Sequence, residues 1–149
     1  MNIGLSFEVI YKDSDLLEVR VSAWNGAFGG AADVYVGIGV LEETAAKLQG
    51  FPRDTSDSRE VALGTFSPDY AGGGVKMRFY CADASGHAFV ELRIDTGSTS
   101  GKPLESVTMY LPVEAAAIDS FVAELRRAGS SRSGIARLEA KGLRASASP

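Results

Sequence analysis

The chain has 149 residues, of which 45% are hydrophobic and 23% charged, and its formal net charge at pH 7 is -4. These proportions are typical of a soluble globular protein with one domain. No apolar run approaches the roughly 20 residues that cross a bilayer. The start MNIGLSFEVIYKD lacks the basic and apolar regions of a secretory signal. The single cysteine, Cys81, excludes an internal disulfide framework. We therefore expect a cytoplasmic protein.

The charge is unevenly distributed along the chain. Residues 1–128 contain 11 Lys/Arg and 18 Asp/Glu, which gives -7, and residues 129–149 contain 4 and 1, which gives +3. Proteins bind nucleic acid and anionic lipid through Lys and Arg side chains that neutralise phosphates. An acidic body without a basic stripe is unsuited to either role. We expect no nucleic acid and no membrane among the partners.

Apolar and polar residues alternate with a period of two over most of the chain, which predicts strands. LSFEVIY places Leu5, Phe7, Val9 and Tyr11 on one face. LLEVRVSAW follows after a short polar turn, and the two runs predict an antiparallel hairpin. Further strands are predicted at AADVYVG, EVALGTF, GVKMRFYCA, HAFVELRID and LESVTMYL. The later connections are too short for crossover helices, which favours an antiparallel sheet.

Two segments have helical periodicity. The first, residues 40–49, places Leu41, Ala45 and Leu48 on one face and ends at Gly50. The second, PVEAAAIDSFVAELRRAG, has the apolar stripe of a helix packed on a sheet and is predicted to end at Gly129. The stripe consists of Ile118, Phe121, Val122 and Leu125.

We therefore predict an α+β fold in which an antiparallel sheet of six to seven strands carries a short middle helix and a C-terminal helix. Residues 1–128 would form one α+β domain. Residues 129–149, rich in Ser, Ala and Arg, read as a basic C-terminal tail, with one turn of helix around IARLEA at most.

Gly37-Ile38-Gly39, between a strand and a helix, invites comparison with a phosphate-binding loop. The dinucleotide fingerprint requires a third glycine at position 42, where this chain has Glu42, and Glu43 follows. Two carboxylates at a helix N-terminus stabilise the helix and repel a pyrophosphate. We interpret these glycines as a tight strand-to-helix turn.

Cys81 and His87 flank a short turn and are the only cysteine and histidine in the chain. Strand parity places Cys81 on the apolar face and His87 on the opposite one, which disfavours a nucleophilic pair. One Cys and one His cannot supply the usual zinc or haem ligands. Asp13–Asp15 and Asp54–Asp57 are acids of the kind favoured in turns. We predict no catalytic, cofactor-binding or metal-binding set.

Several polar and aromatic residues fall opposite the core parity of their strands. Most would form a solvated face with cross-strand ion pairs. Large aromatic residues beside arginines are also the composition of a protein-binding patch. The candidate partner-binding residues are Trp24, Tyr80, Phe89, Arg20, Arg78 and Arg93.

The pattern Leu-x-x-x-Ala-x-x-Leu-x-x-Phe-Pro, here Leu41, Ala45, Leu48, Phe51 and Pro52, is followed by several strands and a closing amphipathic helix. This arrangement, over about residues 5–128, resembles a group of small bacterial proteins that includes the WapI-type immunity proteins. The shared residues are packing residues. The resemblance implies a non-enzymatic protein that binds a partner protein, such as a toxin, and it transfers no catalytic residue.

These observations favour a non-enzymatic bacterial protein-interaction domain without cofactors, whose partner is another protein. A small-molecule-binding or sensor domain, with a cavity between sheet and helices, is the alternative. An enzyme that uses Cys81 and His87, or an unrecognised carboxylate pair, is a third reading. A homodimer through a strand edge or the aromatic face is compatible with the sequence, which does not decide it.

Overall fold

The computed structural model describes residues 2–85, 87–98 and 102–142, and these form eight strands and two helices. In chain order they are β1 (Gly4–Lys12), β2 (Leu16–Trp24), β3 (Gly29–Gly37), α1 (Val40–Leu48), β4 (Ser58–Gly64), β5 (Gly74–Cys81), β6 (Ala88–Asp95), β7 (Ser106–Val113), α2 (Ala115–Ser131) and β8 (Ile135–Glu139). All strand pairs are antiparallel.

The α+β class and the antiparallel pairing are confirmed, whereas the prediction of one sheet with six to seven strands is wrong. The strands form two four-stranded sheets, with the orders β3-β2-β1-β8 and β4-β5-β6-β7. We call them the first and the second sheet. Periodicity identifies a strand but does not say which strands pair, so the sequence could not separate them.

The two sheets meet along β3, which contacts every strand of the second sheet. At this junction Gly64, Gly74, Asp95 and Ser106 form one row across the ends of the four strands. The Gly73 N–H donates to the Asp33 carbonyl oxygen at 2.9 Å, which joins β3 to the start of β5.

Both helices cover one continuous hydrophobic core to which the two sheets contribute. The rings of Phe7 in β1 and Phe121 in α2 pack edge to face with centroids 5.5 Å apart. Phe51, which follows α1, packs in the same way on Phe79 of β5 at 5.9 Å. The helices also pack against each other. The Leu-Ala-Leu-Phe pattern is buried to 2% exposure or less, as a packing motif requires.

The prediction that Tyr11 shares the core face with Leu5 and Phe7 is wrong. The register of β1 against β2 shifts between Val9 and Tyr11, because Ile10 is an extra residue in a β-bulge. Side chains alternate along a strand, so one additional residue moves Tyr11 to the outer face. Tyr11 is 50% exposed there, opposite Glu18.

The boundaries predicted for α2 are also corrected. Pro112 belongs to β7, and the helix passes through Gly129 to Ser131 and is capped by Arg132, whose φ of 52° is left-handed. Gly129 is buried where α1 crosses α2, and the Glu42 side chain occupies the space that a Cβ atom would need. Glu42 Oε1 is buried there without a hydrogen-bond partner among the described residues.

The segment predicted as a tail with a helical turn contains a strand. β8 pairs with β1 and packs on α2, so residues 129–142 belong to the folded domain and the predicted boundary falls inside α2. Ala136 and Leu138 alternate into the core. The short apolar alternation in IARLE was too weak a signal beside the Ser, Ala and Arg around it. Residues 143–149 of the predicted tail lie outside the described residues.

The contact between Glu42 and Gly129 predicts an energetic coupling between the helices. Alanine is about 1 kcal/mol better than glycine within a helix. We expect Gly129→Ala to raise the free energy of unfolding by about 0.5–1 kcal/mol in a Glu42→Ala background. In the wild-type background the new methyl group collides with the buried carboxylate, and we expect no gain or a loss.

Urea unfolding of the four proteins of this cycle measures the coupling. Glu43→Ala provides the matched control, because Glu43 is exposed in the same turn of α1. The effect of Gly129→Ala should be the same with and without that control substitution. An equal effect of Gly129→Ala in the wild-type and Glu42→Ala backgrounds would contradict the proposed contact.

Candidate functional site

The Gly37-Ile38-Gly39 segment is a strand-to-helix turn, as predicted. Gly37 ends β3, and Gly39 caps α1 with a φ of 91°, which favours glycine. Glu42 and Glu43 occupy the first helical turn, and the Glu43 N–H donates to the Gly39 carbonyl oxygen at 3.0 Å. The acidic side chains at this end of the helix leave it unsuited to a phosphate.

Cys81 and His87 have different partners. The Cys81 thiol lies 3.9 Å from the Asp54 carbonyl oxygen, and the His87 Nδ1 atom lies 2.7 Å from a carboxylate oxygen of Asp83. Burial raises the pKa of the Cys81 thiol, and the negative charges of Asp57, Asp54 and Asp83 raise it further. A nucleophilic cysteine needs the opposite shift.

The aspartates that the sequence placed in turns stabilise those turns. One carboxylate oxygen of Asp13 accepts from the N–H groups of Asp15 and Leu16 at 2.8 and 2.9 Å. Asp54 accepts from the Ser56 hydroxyl at 2.6 Å and from the Ser56 N–H at 2.9 Å. These bonds hold the pKa of both carboxyl groups below the usual range. In the described part of the chain, no group of three or more His, Cys, Asp or Glu side chains is arranged to hold a metal ion.

The six candidate partner-binding residues do not lie on one face, because they belong to two sheets. Arg20 and Trp24 lie on β2 of the first sheet, while Arg78, Tyr80, Phe89 and Arg93 lie on β5 and β6 of the second. Trp24 is half-buried beside Gly29, and Arg20 pairs with Asp33. That any of them binds a partner stays a prediction.

On the second sheet three of these residues, all except Arg93, form a contiguous set of contacts. The Arg78 guanidinium carbon lies 4.2 Å from the centroid of the Tyr80 ring, and Arg78 Nε donates to Glu91 at 2.9 Å. The other Glu91 oxygen accepts from the Tyr110 hydroxyl at 3.0 Å. These hydrogen bonds hold the pKa of Glu91 below its ordinary value. Tyr80 also stacks on Phe89. Arg78 therefore has both an aromatic and an acidic partner within the chain.

The outer face of the first sheet carries a surface that the sequence did not reveal. Tyr11, Glu18 and Tyr35 lie directly opposite one another across β1, β2 and β3. In the next row inward, Glu8, Arg20 and Asp33 face one another in the same way. We call these six residues the acidic tyrosine surface. Only the bulge at Ile10 brings Tyr11 into it, and nothing in the alternation of β1 predicts a bulge.

The acidic tyrosine surface contains three carboxylates and one guanidinium group, so its formal charge is -2. The carboxylate of Glu18 raises the pKa of Tyr35. The carboxylate of Asp13 raises the pKa of Tyr11, and Glu18 and Tyr35 add smaller effects in the same direction. Arg20 donates to both oxygens of Asp33, at 2.9 and 3.1 Å, and this contact raises the Arg20 pKa. Tyr35 is 40% exposed, and its ring lies over Gly72. Exposed tyrosines in an acidic field suit contact with a basic protein.

A cleft of about 340 Å³ opens between the start of β6, the start of α2 and the end of β8. Phe89, Pro112, Ala117 and Ala140 line its apolar part. At its rim Lys141 Nζ pairs with Glu114 at 2.7 Å, and the Lys141 N–H donates to the Pro112 carbonyl oxygen at 3.1 Å. The volume is at the lower end of the range for small-molecule sites.

Three of the four sheet edges are engaged by groups of the chain itself. The Glu124 carboxylate accepts from the Arg137 N–H of β8 at 2.7 Å. The buried Asn25 side chain donates to the Tyr110 carbonyl oxygen of β7 at 3.1 Å, and β3 meets Gly73 as described above. β4 forms the remaining edge. Pairing of two copies through an edge stays a prediction.

Comparison of the chain with protein-family models, with curated proteins and with solved structures finds no match. Neither helix in the described part of the chain is long and apolar enough to cross a membrane.

The environment of Cys81 predicts an unreactive thiol. Burial and neighbouring carboxylates disfavour the thiolate, which is the reactive form. We expect alkylation by iodoacetamide at pH 7 to be at least about tenfold slower in the folded chain than in the urea-unfolded chain. Asp54→Asn should accelerate the reaction, because it removes one of these charges. Rapid alkylation of the folded wild-type chain would contradict this reading and restore the cysteine-enzyme hypothesis.

Proposed function

We propose that the chain is a non-enzymatic bacterial protein-interaction domain, of the kind that immunity proteins represent, and that it binds a partner protein such as a toxin through the acidic tyrosine surface. The observation that carries this proposal is the β-bulge at Ile10, which places Tyr11 beside Glu18 and Tyr35 on a solvent-facing sheet. Bulges are enriched next to functional sites, where they redirect a side chain.

Charge and composition support the same proposal. Tyrosine is enriched among the residues that dominate binding energy at protein interfaces. The chain has 19 acidic and 15 basic residues, and a negative surface attracts basic partners over long distances. Toxins that act on nucleic acids need basic surfaces to bind phosphates, so an acidic binding domain is complementary to them.

Affinity capture from a native bacterial lysate tests this function. We expect the wild-type chain to retain a stoichiometric protein, and Tyr35→Ala to lose at least about 90% of it, since interface tyrosines often contribute 2 kcal/mol or more. Retention should also fall as the salt concentration rises, because salt screens exposed charges.

Tyr110→Ala is the matched control, because Tyr110 is an exposed tyrosine beside a glutamate on the second sheet. It should retain the partner. Circular dichroism establishes that each variant is folded. If no protein is captured, or if Tyr35→Ala and wild type capture the same amount, the acidic tyrosine surface is not the binding site.

The cleft favours a second candidate function, the binding of a small apolar molecule. Its apolar lining is formed by side chains from β6, β7 and α2, and a ligand that binds only the folded chain raises the unfolding temperature by mass action. We expect such a ligand to stabilise the wild type and not Ala117→Phe, in which the new ring fills the cleft. Thermal-shift screening of a metabolite panel on both proteins measures this. Equal responses, or none, would exclude the cleft as a ligand site.

A further inference from the structure

On the second sheet, a glutamate and neighbouring tyrosines bind an arginine side chain of the same chain. We call this group the arginine cluster. There Arg78 lies over the Tyr80 ring, its Nε donates to Glu91, and Glu91 accepts from Tyr110. The plane of the guanidinium group stacks on an aromatic ring, and an N–H group at its edge donates to a carboxylate. An ammonium group is not planar and cannot make this combination of contacts. The chain itself therefore supplies the cation, the carboxylate and the aromatic rings of this cluster.

The first sheet repeats the acidic and aromatic parts of this cluster without the cation. Glu18 lies between Tyr11 and Tyr35 in direct register. Of the Lys and Arg residues that the structure describes, none lies within 4.0 Å of a Glu18 oxygen. The guanidinium of Arg20, one row away, is engaged by Asp33 at 2.9 and 3.1 Å.

The row formed by Tyr11, Glu18 and Tyr35 has room for one guanidinium group. Adjacent strands lie about 4.8 Å apart, so the backbones of Tyr11 and Tyr35 are about 10 Å apart with Glu18 midway. Tyr11 donates its hydroxyl hydrogen to Asp13 at 3.3 Å, which orients its ring. Four carboxylates surround the position, those of Glu8, Asp13, Glu18 and Asp33. Two cations, Arg20 and Lys12, offset them in part.

We propose that Tyr11, Glu18 and Tyr35 form a receptor for one arginine side chain on a basic partner protein. The partner's guanidinium pairs with Glu18 and stacks on the tyrosine rings, and so completes the cluster that Arg78 completes on the second sheet. This inference rests on the proposed function and names the chemistry that the partner must present. The bulge at Ile10 then sets specificity, because without it Tyr11 would not face the receptor.

The test uses three capped peptides as probes, acetyl-Gly-X-Gly-amide with X as arginine, lysine or citrulline. Citrulline has nearly the shape of arginine without its charge. The peptides are titrated into the full chain, and the amide signals of Tyr11, Glu18 and Tyr35 are followed by two-dimensional NMR. We expect the arginine peptide to shift these signals with a millimolar Kd, and the citrulline peptide to bind at least about tenfold more weakly. The lysine peptide should fall between them.

Three variants locate the binding site. Glu18→Gln should weaken arginine binding about tenfold, and Tyr11→Ala should weaken it about two- to fivefold. Glu91→Gln is the matched control, because it removes the same charge from the corresponding position of the second sheet. It should leave arginine binding unchanged, and this separates a local receptor from an effect of net charge.

Equal binding of the arginine and citrulline peptides would overturn the inference. So would an equal loss in Glu18→Gln and Glu91→Gln. Either result, together with capture of a protein that depends on Tyr35, would leave the proposed function standing and refute only the arginine receptor. Arginine binding at this row without any captured partner would support the receptor and count against the proposed function.

Discussion

The crossing of β3 over the strand ends of the second sheet determines the placement of the other elements. Glycine makes close packing possible there, because a Cβ atom at Gly64 would lie 3.1 Å from the Val34 Cβ atom of β3 and one at Gly73 would lie 3.0 Å from that of Ala32. The hydrogen bond from Gly73 to Asp33 fixes the position along β3 at which the sheets meet. Once the sheets are joined at this line, their apolar faces share one hydrophobic core with α1 and α2. The helices must then pack against each other as well as on the sheets, which explains the close contact at Gly129.

The same junction leaves the outer faces of the two sheets as separate surfaces with different chemistry. On the second sheet, charges are matched within the chain: Lys76 with Glu60, Arg78 with Glu91, and Arg93 with Asp95. The first two of these pairs are exposed and contribute little to stability, whereas Asp95 is buried in the third. All three leave few charges to attract a partner. On the first sheet, Arg20 is the one cation in the two rows that contain Glu8, Glu18 and Asp33. Both faces carry tyrosine and glutamate. They differ in how far the acidic residues are balanced by basic ones.

The sequence predicted the local elements well and their assembly less well, for identifiable reasons. Seven strands and both helices were found close to their observed positions, because alternation and helical periodicity are local signals. β8 was missed because five residues of alternation are a weak signal in a segment rich in Ser, Ala and Arg. The division into two sheets depends on contacts between β3 and strands that come 20 or more residues later, which no local pattern contains.

What the sequence could predict at the candidate site was limited for the same reason: alternation is a local signal. Arg78, Tyr80 and Phe89 were identified correctly as outward-facing, since the alternation of β5 and β6 is regular. Tyr11 was assigned to the core, because a bulge breaks the alternation without leaving a mark in the residue types. Arg20 and Trp24 were grouped with residues of a different sheet, because parity gives a face but not the identity of the sheet.

The bulge at Ile10 also bears on how such a surface could arise in evolution. It lies near the end of β1, beyond the residues whose side chains fill the core, so the loss or gain of one codon there would alter only the outer end of the hairpin. Loss of Ile10 would remove the extra residue, leave Tyr11 opposite Glu18, and keep the register of Leu5 and Phe7 with β2. The bulge therefore absorbs a one-residue insertion, so the gain or loss of Ile10 exchanges neither the faces of the core residues nor that of Tyr11.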